Sequence, residues 1–320
     1  MIHAKDVIQK DQPHIIALCS HSQIIETSKG PIEINYKNPQ KEPLHAPDEK
    51  PTVLFLHGAL GGHDQSMLLF DQFFAYSFNV LTLSRPGYCR TPLRSGKTYE
   101  AQADLIAALL DKLKISQVLV VGLSAAGPTL YHLAIRHPHR VKALVAISCI
   151  SRKDERHQSI PTLAKFLLTR PMVYLMGKII ASYPEFAIRH FLNADSTLPQ
   201  QDVNTLTQEI LHDPEKFKYI YRFYVLIRAF KTLRKAGVEN DIEQAKVLPD
   251  INFSAIACPA LICHGNADNV VSFEDGLLAA SKIKQAEHFW MDGGSHLAFW
   301  LSADAERAHK NVIAFIQHHL

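Results

Sequence analysis

The chain has 320 residues, of which 47% are hydrophobic and 20% are charged, and its formal net charge at pH 7 is +3. This length and apolar content suit one catalytic domain with an insertion better than two independent domains. The net charge is too small to indicate a nucleic-acid partner, and the basic excess falls entirely between Arg152 and Asp250.

The cysteine pattern and the N-terminal sequence exclude several classes of protein. The five cysteines are odd in number and include no C-x-x-C pair, so neither a disulfide framework nor a zinc site is predicted. No group of His, Asp and Glu has the spacing of metal ligands. The first residues lack the features of a signal peptide, and no apolar run is long enough to span a bilayer. We therefore expect a cytoplasmic protein without a metal site.

The N-terminal region shows weak structural signals. Residues 1–14 are polar and predict a poorly ordered arm. Two edge strands are predicted around Ile15–Leu18 and Ile32–Tyr36, and a polar, proline-containing connection follows over residues 37–50.

Beyond residue 50 the pattern becomes regular. Apolar runs near positions 53, 80, 118, 143, 260 and 287 are separated by helical patterns such as Glu100–Lys114. This alternation predicts an α/β fold built on a doubly wound, mostly parallel sheet with helices on both faces. Right-handed crossovers then place the loops that follow the strands at one edge of the sheet.

The first of these loops is rich in glycine. The strand Thr52–Leu56 runs into His57-Gly58-Ala59-Leu60-Gly61-Gly62, which can bring backbone N–H groups close to a substrate. Ala59 is the predicted oxyanion donor of this loop, and Leu60 is a candidate substrate contact. His57 and His264, which each precede a glycine after a strand, are interpreted as residues that hold loop geometry.

The most informative segment is V-L-V-V-G-L-S-A-A-G, residues 118–127. An apolar strand meets Ser124 and turns at once into a helical pattern, and the small residues Gly122 and Ala126 flank the serine at two positions on either side. This is the pattern of a nucleophile elbow, in which a strained turn exposes the serine hydroxyl. The Ala125 N–H would lie at a helix N-terminus and form a second oxyanion donor. Gly-x-Ser-x-Ala also occurs by chance, but the strand–turn–helix context favours the catalytic interpretation.

Between Arg152 and Asp250 the alternation stops and helical patterns dominate. They cover Thr162–Leu168, Met172–Ser182, Glu185–Leu192, Val203–Leu211 and Pro214–Arg234. We expect an all-helical cap over the catalytic edge of the sheet.

Several apolar residues of this cap are candidate substrate contacts, namely Met172, Met176 and Phe223. For any one of them, packing against a neighbouring helix is the stronger interpretation. The basic excess of the cap allows a weak contact with a membrane surface, although a solvated helical face is favoured.

The last two candidate residues follow strands near the C-terminus. Asp268 lies just past the apolar run Pro259–Cys263, where a carboxylate can orient an imidazole, and His296 follows the turn Asp292-Gly293-Gly294-Ser295. Asp292 is a rival for the acid, but residues of one short turn seldom have room to face each other. Leu297, Phe299 and Trp300 come directly after His296 and are candidate substrate contacts.

The order Ser124, Asp268, His296 is that of the α/β-hydrolases rather than of chymotrypsin-like or subtilisin-like proteases. With the glycine-rich loop after Leu56, the chain resembles the capped branch of this family over roughly residues 50–150 and 255–320. The loop Arg85-Pro86-Gly87-Tyr88 also looks like the family's loop after its fourth strand. Three positions depart from the family pattern: Ser84 and Cys89 stand where Asp and Gly are common, and Ala126 replaces the usual elbow glycine.

The resemblance implies a core of residues 1–151 and 251–320, a cap of residues 152–250, and a serine hydrolase that needs no cofactor. The expected substrates are small carboxylic esters with short to medium apolar acyl chains, cleaved through an acyl-enzyme. C–C bond or amide hydrolysis, acyl transfer and cofactor-free haloperoxidase chemistry use the same residues and stay open. A binding protein without chemistry is the least favoured alternative. The sequence does not indicate an oligomeric state.

Overall fold

The computed structural model describes residues 3–37, 50–153, 170–228 and 233–320. An eight-stranded sheet in the order β1-β2-β4-β3-β5-β6-β7-β8 forms its centre. The strands are β1 Gln23–Thr27, β2 Gly30–Lys37, β3 Thr52–Leu56, β4 Asn79–Leu83, β5 Val118–Leu123, β6 Val141–Ile147, β7 Ala260–Gly265 and β8 Ala286–Met291.

The strand pairing confirms the predicted mostly parallel sheet. β2 pairs antiparallel with both β1 and β4, and every other neighbouring pair is parallel. The central strands are buried on both faces, which explains why they are continuous apolar runs in the sequence. Alternate residues of β3 enter the two cores: Val53 and Phe55 face one, Leu54 and Leu56 the other.

Helices cover both faces of this sheet. Outside the β6–β7 interval they are α1 Ala4–Cys19, α2 His63–Leu69, α3 Tyr99–Leu113, α4 Gly127–Arg136, α10 Phe273–Lys282, α11 Ala298–Leu301 and α12 Ala305–His319. α3 begins where the Thr98 side chain accepts a hydrogen bond from the Ala101 N–H, a normal N-cap.

The chain between β6 and β7 is helical, as predicted for the cap. Its described helices are α5 Arg170–Ser182, α6 Pro184–Asp195, α7 Gln200–His212, α8 Pro214–Arg228 and α9 Lys235–Lys246. The predicted helix Thr162–Leu168 lies outside the described residues, and α9 was not predicted. The domain boundaries at 151 and 251 stay predictions.

The N-terminal prediction was wrong. Residues 4–19, expected to be an arm followed by a strand, form the helix α1, and the first edge strand is Gln23–Thr27. The helical pattern is hard to recognise because its buried face carries a charged residue, Asp11, and because Pro13 lies inside the helix. Arg222 of α8 neutralises Asp11, so the residue that makes this helix possible is 211 positions away.

Within the described ranges, none of the helices combines the length and apolar character that crossing a bilayer requires.

Candidate active site

The geometry of Ser124 is that of a sharp strand-to-helix turn. It follows β5 directly, opens a short 3₁₀ turn that continues into α4, and has a φ of 53°, in the left-handed region. Such a conformation is strained for a residue with a side chain. A Cβ at Gly122 would lie 2.9 Å from Leu130 Cδ2, so a larger residue there would have to displace the Leu130 side chain. Ala126 is completely buried, and its methyl group is accommodated.

The structure brings together the three residues predicted from separate loops. His296 Nε2 lies 3.0 Å from Ser124 Oγ, and His296 Nδ1 lies 2.8 Å from Asp268 Oδ2. All three side chains are buried. Asp268 accepts the Nδ1–H of His296, which leaves Nε2 free to accept the Ser124 hydroxyl proton. This hydrogen-bonded chain has the geometry that activates a serine as a nucleophile.

Asp268, the acid of this hydrogen-bonded series, is held in place by backbone groups of its own loop and by His264. Asp268 Oδ1 accepts the N–H groups of Val270 and Val271, both at 2.8 Å, and Oδ2 lies 3.2 Å from His264 Nε2. Burial acts to raise the pKa of Asp268, but the charge of His296 and the hydrogen bonds from both histidines hold that pKa well below its usual range. Asp268 is therefore ionised at neutral pH. The contact of His264 matches its interpretation as a residue that holds loop geometry.

The imidazole of His296 is made more basic by its surroundings. Burial acts to lower its pKa, but the charge of Asp268, the hydrogen bond to it and the charge of Asp195 outweigh burial and raise the pKa of His296 above its usual value. The neutral form, which accepts a proton, therefore becomes dominant at a higher pH than in an ordinary histidine.

The loop after β3 lies directly against the serine. A Cβ at Gly58 would come 3.0 Å from Ser124 Cβ, so even an alanine there would push against the serine that glycine lets approach. Gln65 of α2 holds the loop: its Oε1 accepts the Gly58 N–H at 2.7 Å, and its Nε2 donates to the Ala59 carbonyl at 3.1 Å. Leu60 has a φ of 60°, which turns the chain away immediately after Ala59.

The two predicted oxyanion donors flank the serine in this arrangement. The Ala125 N–H belongs to the first turn of the helix that starts at Ser124, where backbone N–H groups have no acceptor within the helix. The Ala59 N–H meets no acceptor among the residues that the structure describes. The assignment of both N–H groups as oxyanion donors stays a prediction.

A buried network of hydrogen bonds also supports the glycine-rich loop. His57 Nδ1 donates to the Gly58 carbonyl at 2.7 Å, and His57 Nε2 accepts the Arg85 N–H at 2.8 Å. One ring nitrogen donates and the other accepts, as in a neutral imidazole. Burial together with the Arg85 charge lowers the pKa of His57 well below its usual range. The Arg85 guanidinium in turn makes a bidentate pair with Asp241 of α9, at 2.8 and 2.6 Å. His57 is therefore structural, as the sequence interpretation preferred.

Ser84 and Cys89 depart from the family pattern on either side of Arg85–Tyr88, and Glu33 of β2 accepts hydrogen bonds from this loop. Ser84 Oγ donates to the Glu33 carboxylate at 2.9 Å, and the Arg90 N–H donates to the same carboxylate at 3.0 Å. Cys89 has a φ of 49°, which explains why glycine is common at its position. The loop keeps its turn at the cost of one strained residue.

The predicted substrate contacts differ in exposure. Phe299 and Trp300 are buried in an aromatic cluster, with ring centroids 5.0 Å apart, and the Trp300 indole donates to the Leu69 carbonyl at 2.7 Å. They pack the core rather than an open surface. Leu297 is buried in the same core. Leu60 is half-buried against Tyr88 and Val238.

The three cap candidates Met172, Met176 and Phe223 are half-buried. Met176 and Phe223 pack against the same core as Leu297, and the Phe223 ring lies 5.5 Å from that of Phe191.

Asp292, the rival candidate for the acid, is not the carboxylate that contacts the imidazole. Asp292 Oδ1 accepts the Asn266 side-chain amide at 2.8 Å on an exposed surface, whereas Asp268 contacts the imidazole. In the part of the chain that the structure describes, no cluster of three or more His, Cys, Asp or Glu could hold a metal ion.

Sequence reasoning did not single out Asp195, Gln65 or Arg234. Asp195 ends α6 and contacts the loop of His296, Gln65 clamps the glycine-rich loop, and Arg234 donates to the Gly61 carbonyl from the cap. None of them lies in a motif, because each acts through a partner far away in the sequence.

Comparison with known proteins agrees with this architecture. The family model described as alpha/beta hydrolase fold matches residues 51–303. The chain belongs to the α/β-hydrolase family. An alpha/beta hydrolase fold protein from Nakamurella multipartita has a similar structure, with a TM-score of 0.81 and 29% sequence identity, covering 92% of this chain and 99% of the other.

Two relatives are similar over most of their sequences. An uncharacterized hydrolase from Bacillus subtilis is 26% identical, covering 83% of this chain and 91% of its own. A bifunctional esterase/perhydrolase from Acinetobacter calcoaceticus is 23% identical, covering 91% of this chain and 98% of its own. These relatives support a hydrolase function.

Proposed function

We propose that the protein is a serine hydrolase that cleaves carboxylic esters through an acyl-enzyme on Ser124. The observation that carries this proposal is the continuous hydrogen-bonded chain from Ser124 through His296 to Asp268, with the serine at a strained turn. Each residue has the chemical role that its contacts permit.

In the first half of the reaction, neutral His296 takes the hydroxyl proton of Ser124 as the oxygen adds to the ester carbonyl. Asp268 keeps the imidazole in the required tautomer and stabilises the imidazolium. The carbonyl oxygen, now negatively charged, accepts hydrogen bonds from the N–H groups of Ala59 and Ala125. Each donor lowers the barrier by about 3 kcal/mol.

In the second half, His296 returns its proton to the leaving alcohol, and water then attacks the acyl group by the same steps. We propose that the acyl chain contacts half-buried apolar residues, namely Leu60 of the glycine-rich loop and Met176 and Phe223 of the cap. We infer short to medium apolar acyl chains, because each buried CH₂ contributes up to about 0.8 kcal/mol.

A panel of p-nitrophenyl esters tests this proposal. We expect kcat/KM to rise by up to about fourfold per CH₂ from acetate towards octanoate, until the pocket is full. Ser124→Ala removes the activity, and Ser281→Ala, which alters an exposed serine far along α10, leaves it unchanged. Equal rates for acetate and octanoate, or full activity of Ser124→Ala, would contradict the proposal.

The relative named as a bifunctional esterase/perhydrolase points to one alternative activity, the formation of peracids. Peroxide in place of water at the deacylation step would give a peracid from the same acyl-enzyme. Including hydrogen peroxide in the ester assay and measuring peracid distinguishes this activity from hydrolysis alone.

A further inference from the structure

Asp195 lies at the junction between the cap and both loops of the acid–base pair. It is the last residue of α6, and its main-chain carbonyl accepts the N–H groups of His296 at 3.1 Å and Asn269 at 3.3 Å. Its carboxylate Oδ2 accepts the Leu297 N–H at 3.1 Å. One cap residue therefore fixes the backbone on both sides of the His296 imidazole.

The residues that follow Asp195 extend this contact to the acid loop. Ser196 forms an isolated antiparallel bridge with Asp268, and the Thr197 N–H donates to the Ala267 carbonyl at 2.8 Å. The end of α6 thus lies along the acid loop as well as the base loop.

The Asp195 side chain is buried and accepts the N–H of Leu297, the residue directly after His296, without a cationic side chain to neutralise it. Within the described ranges no lysine or arginine forms an ion pair with it. Burial raises its pKa, against the attraction of His296 and the hydrogen bond from the Leu297 N–H, and the charge of Asp268 raises it further. A carboxylate in such a place is stabilised mainly when His296 is protonated, which is the state formed during proton transfer.

We propose that Asp195 is a positioning residue through which the cap holds His296 in place and stabilises its protonated form. The inference rests on the proposed serine hydrolase activity. Asp268 and Asp195 are the carboxylates whose charges act on His296, and His264 of β7 contacts Asp268. The two carboxylates divide the work: Asp268 selects the tautomer, and Asp195 links the imidazolium and its backbone to the cap.

The experiment measures how fast a fluorophosphonate probe reacts with Ser124 between pH 5 and 9. The reaction needs neutral His296, so the rate rises with pH through the pKa of His296. In the wild-type protein we expect the midpoint of this rise above about 6.5, the ordinary histidine value. The probe reports on the serine directly and needs no knowledge of the natural substrate.

Two variants separate the charge of Asp195 from its hydrogen bond. Asp195→Asn keeps an acceptor for the Leu297 N–H and removes the charge, so we expect the midpoint to move down by several tenths to about one pH unit, with a change of less than about threefold in the plateau rate. Asp195→Ala removes both, and we expect the same displacement together with at least a roughly tenfold lower plateau.

Asp195→Glu and Asp202→Asn are the controls. The first keeps a negative charge and is expected to keep the wild-type midpoint, whatever happens to the plateau. The second removes an exposed carboxylate from the first turn of α7 and is expected to change neither quantity. NMR titration of His296 in the wild-type protein, assigned by comparison with His296→Gln, gives the same midpoint without any Asp195 variant.

The outcomes separate the two proposals. A wild-type protein that does not react with the probe overturns the serine hydrolase assignment, and the role of Asp195 with it. A reactive wild type whose pH profile coincides with that of Asp195→Asn overturns the role of Asp195 alone. If Asp195→Asn does not fold, a His296 midpoint at or below about 6.5 in the NMR titration has the same meaning.

Discussion

The acid–base side and the oxyanion side of the site are attached to the cap by different kinds of contact. On the acid–base side the end of α6 makes main-chain hydrogen bonds, from His296 to the Asp195 carbonyl and from Thr197 to Ala267. On the oxyanion side the contacts are buried ion pairs of arginine side chains. Main-chain bonds set position without adding charge, whereas a buried ion pair makes the fold depend on both partners being present.

Two such pairs hold the glycine-rich loop. Arg85 of the core pairs with Asp241 of α9, and Arg234, just before α9, pairs with Asp64 of α2 and donates to the Gly61 carbonyl. A third pair, between Arg222 of α8 and Asp11 of α1, fastens the cap to the N-terminal helix. We therefore expect changes on the acid–base side to affect activity and changes to the ion pairs of the oxyanion side to affect stability first.

The largest expected effect is on the acid–base side. Asp268→Asn removes the charge that orients His296, and we expect kcat to fall by about 10³ to 10⁴. Asp292→Asn is the control, because its carboxylate is exposed and accepts a hydrogen bond from the Asn266 amide rather than from His296. Ester hydrolysis by the two purified variants checks the assignment, and a crippled Asp292→Asn beside a mild Asp268→Asn would exchange the two acids.

The next effect tests the ion pairs. Asp241→Ala leaves the buried Arg85 guanidinium without its carboxylate, and we expect the free energy of unfolding to fall by about 3–5 kcal/mol. Glu243→Ala removes an exposed carboxylate from the same helix and is expected to change it by less than about 0.5 kcal/mol. Urea denaturation measures both, and equal midpoints would mean that the Arg85 pair does not fasten the cap.

A smaller effect concerns the loop itself. Gln65→Leu removes both hydrogen bonds that hold Gly58 and Ala59, so we expect kcat to fall by about 10- to 100-fold through a misplaced Ala59 donor. Gln117→Leu removes one exposed hydrogen bond to His139 and is the control. An unchanged kcat in Gln65→Leu, measured with the best ester of the panel, would show that the loop keeps its geometry without the clamp.

The sheet and the sites at its edge were predictable because their signals are local. Each central strand is a short apolar run, and Ser124 sits among small residues that only a tight turn requires. The chain order then brought Asp268 and His296 to the same edge, since the carboxyl ends of parallel strands lie together.

The parts that sequence reasoning missed depend on partners distant in the chain. The buried charge of Asp11 interrupts the apolar pattern of α1, and its partner Arg222 lies far away in the sequence. Asp241 interrupts the pattern of α9 in the same way, and its partner is Arg85. Phe299 and Trp300 follow the histidine closely enough to suggest a pocket, yet the short helix α11 turns both into the aromatic core. Local periodicity contains no information about any of these pairings.

The central claim is that Ser124 is the nucleophile, and covalent labelling by a fluorophosphonate followed by peptide mass mapping tests it most directly. We predict a single phosphonyl adduct on the peptide that contains Ser124, formed faster as the pH rises through the pKa of His296 and absent in Ser124→Ala. An adduct on another serine, an equal yield in Ser124→Ala, or no adduct at any pH would contradict the assignment.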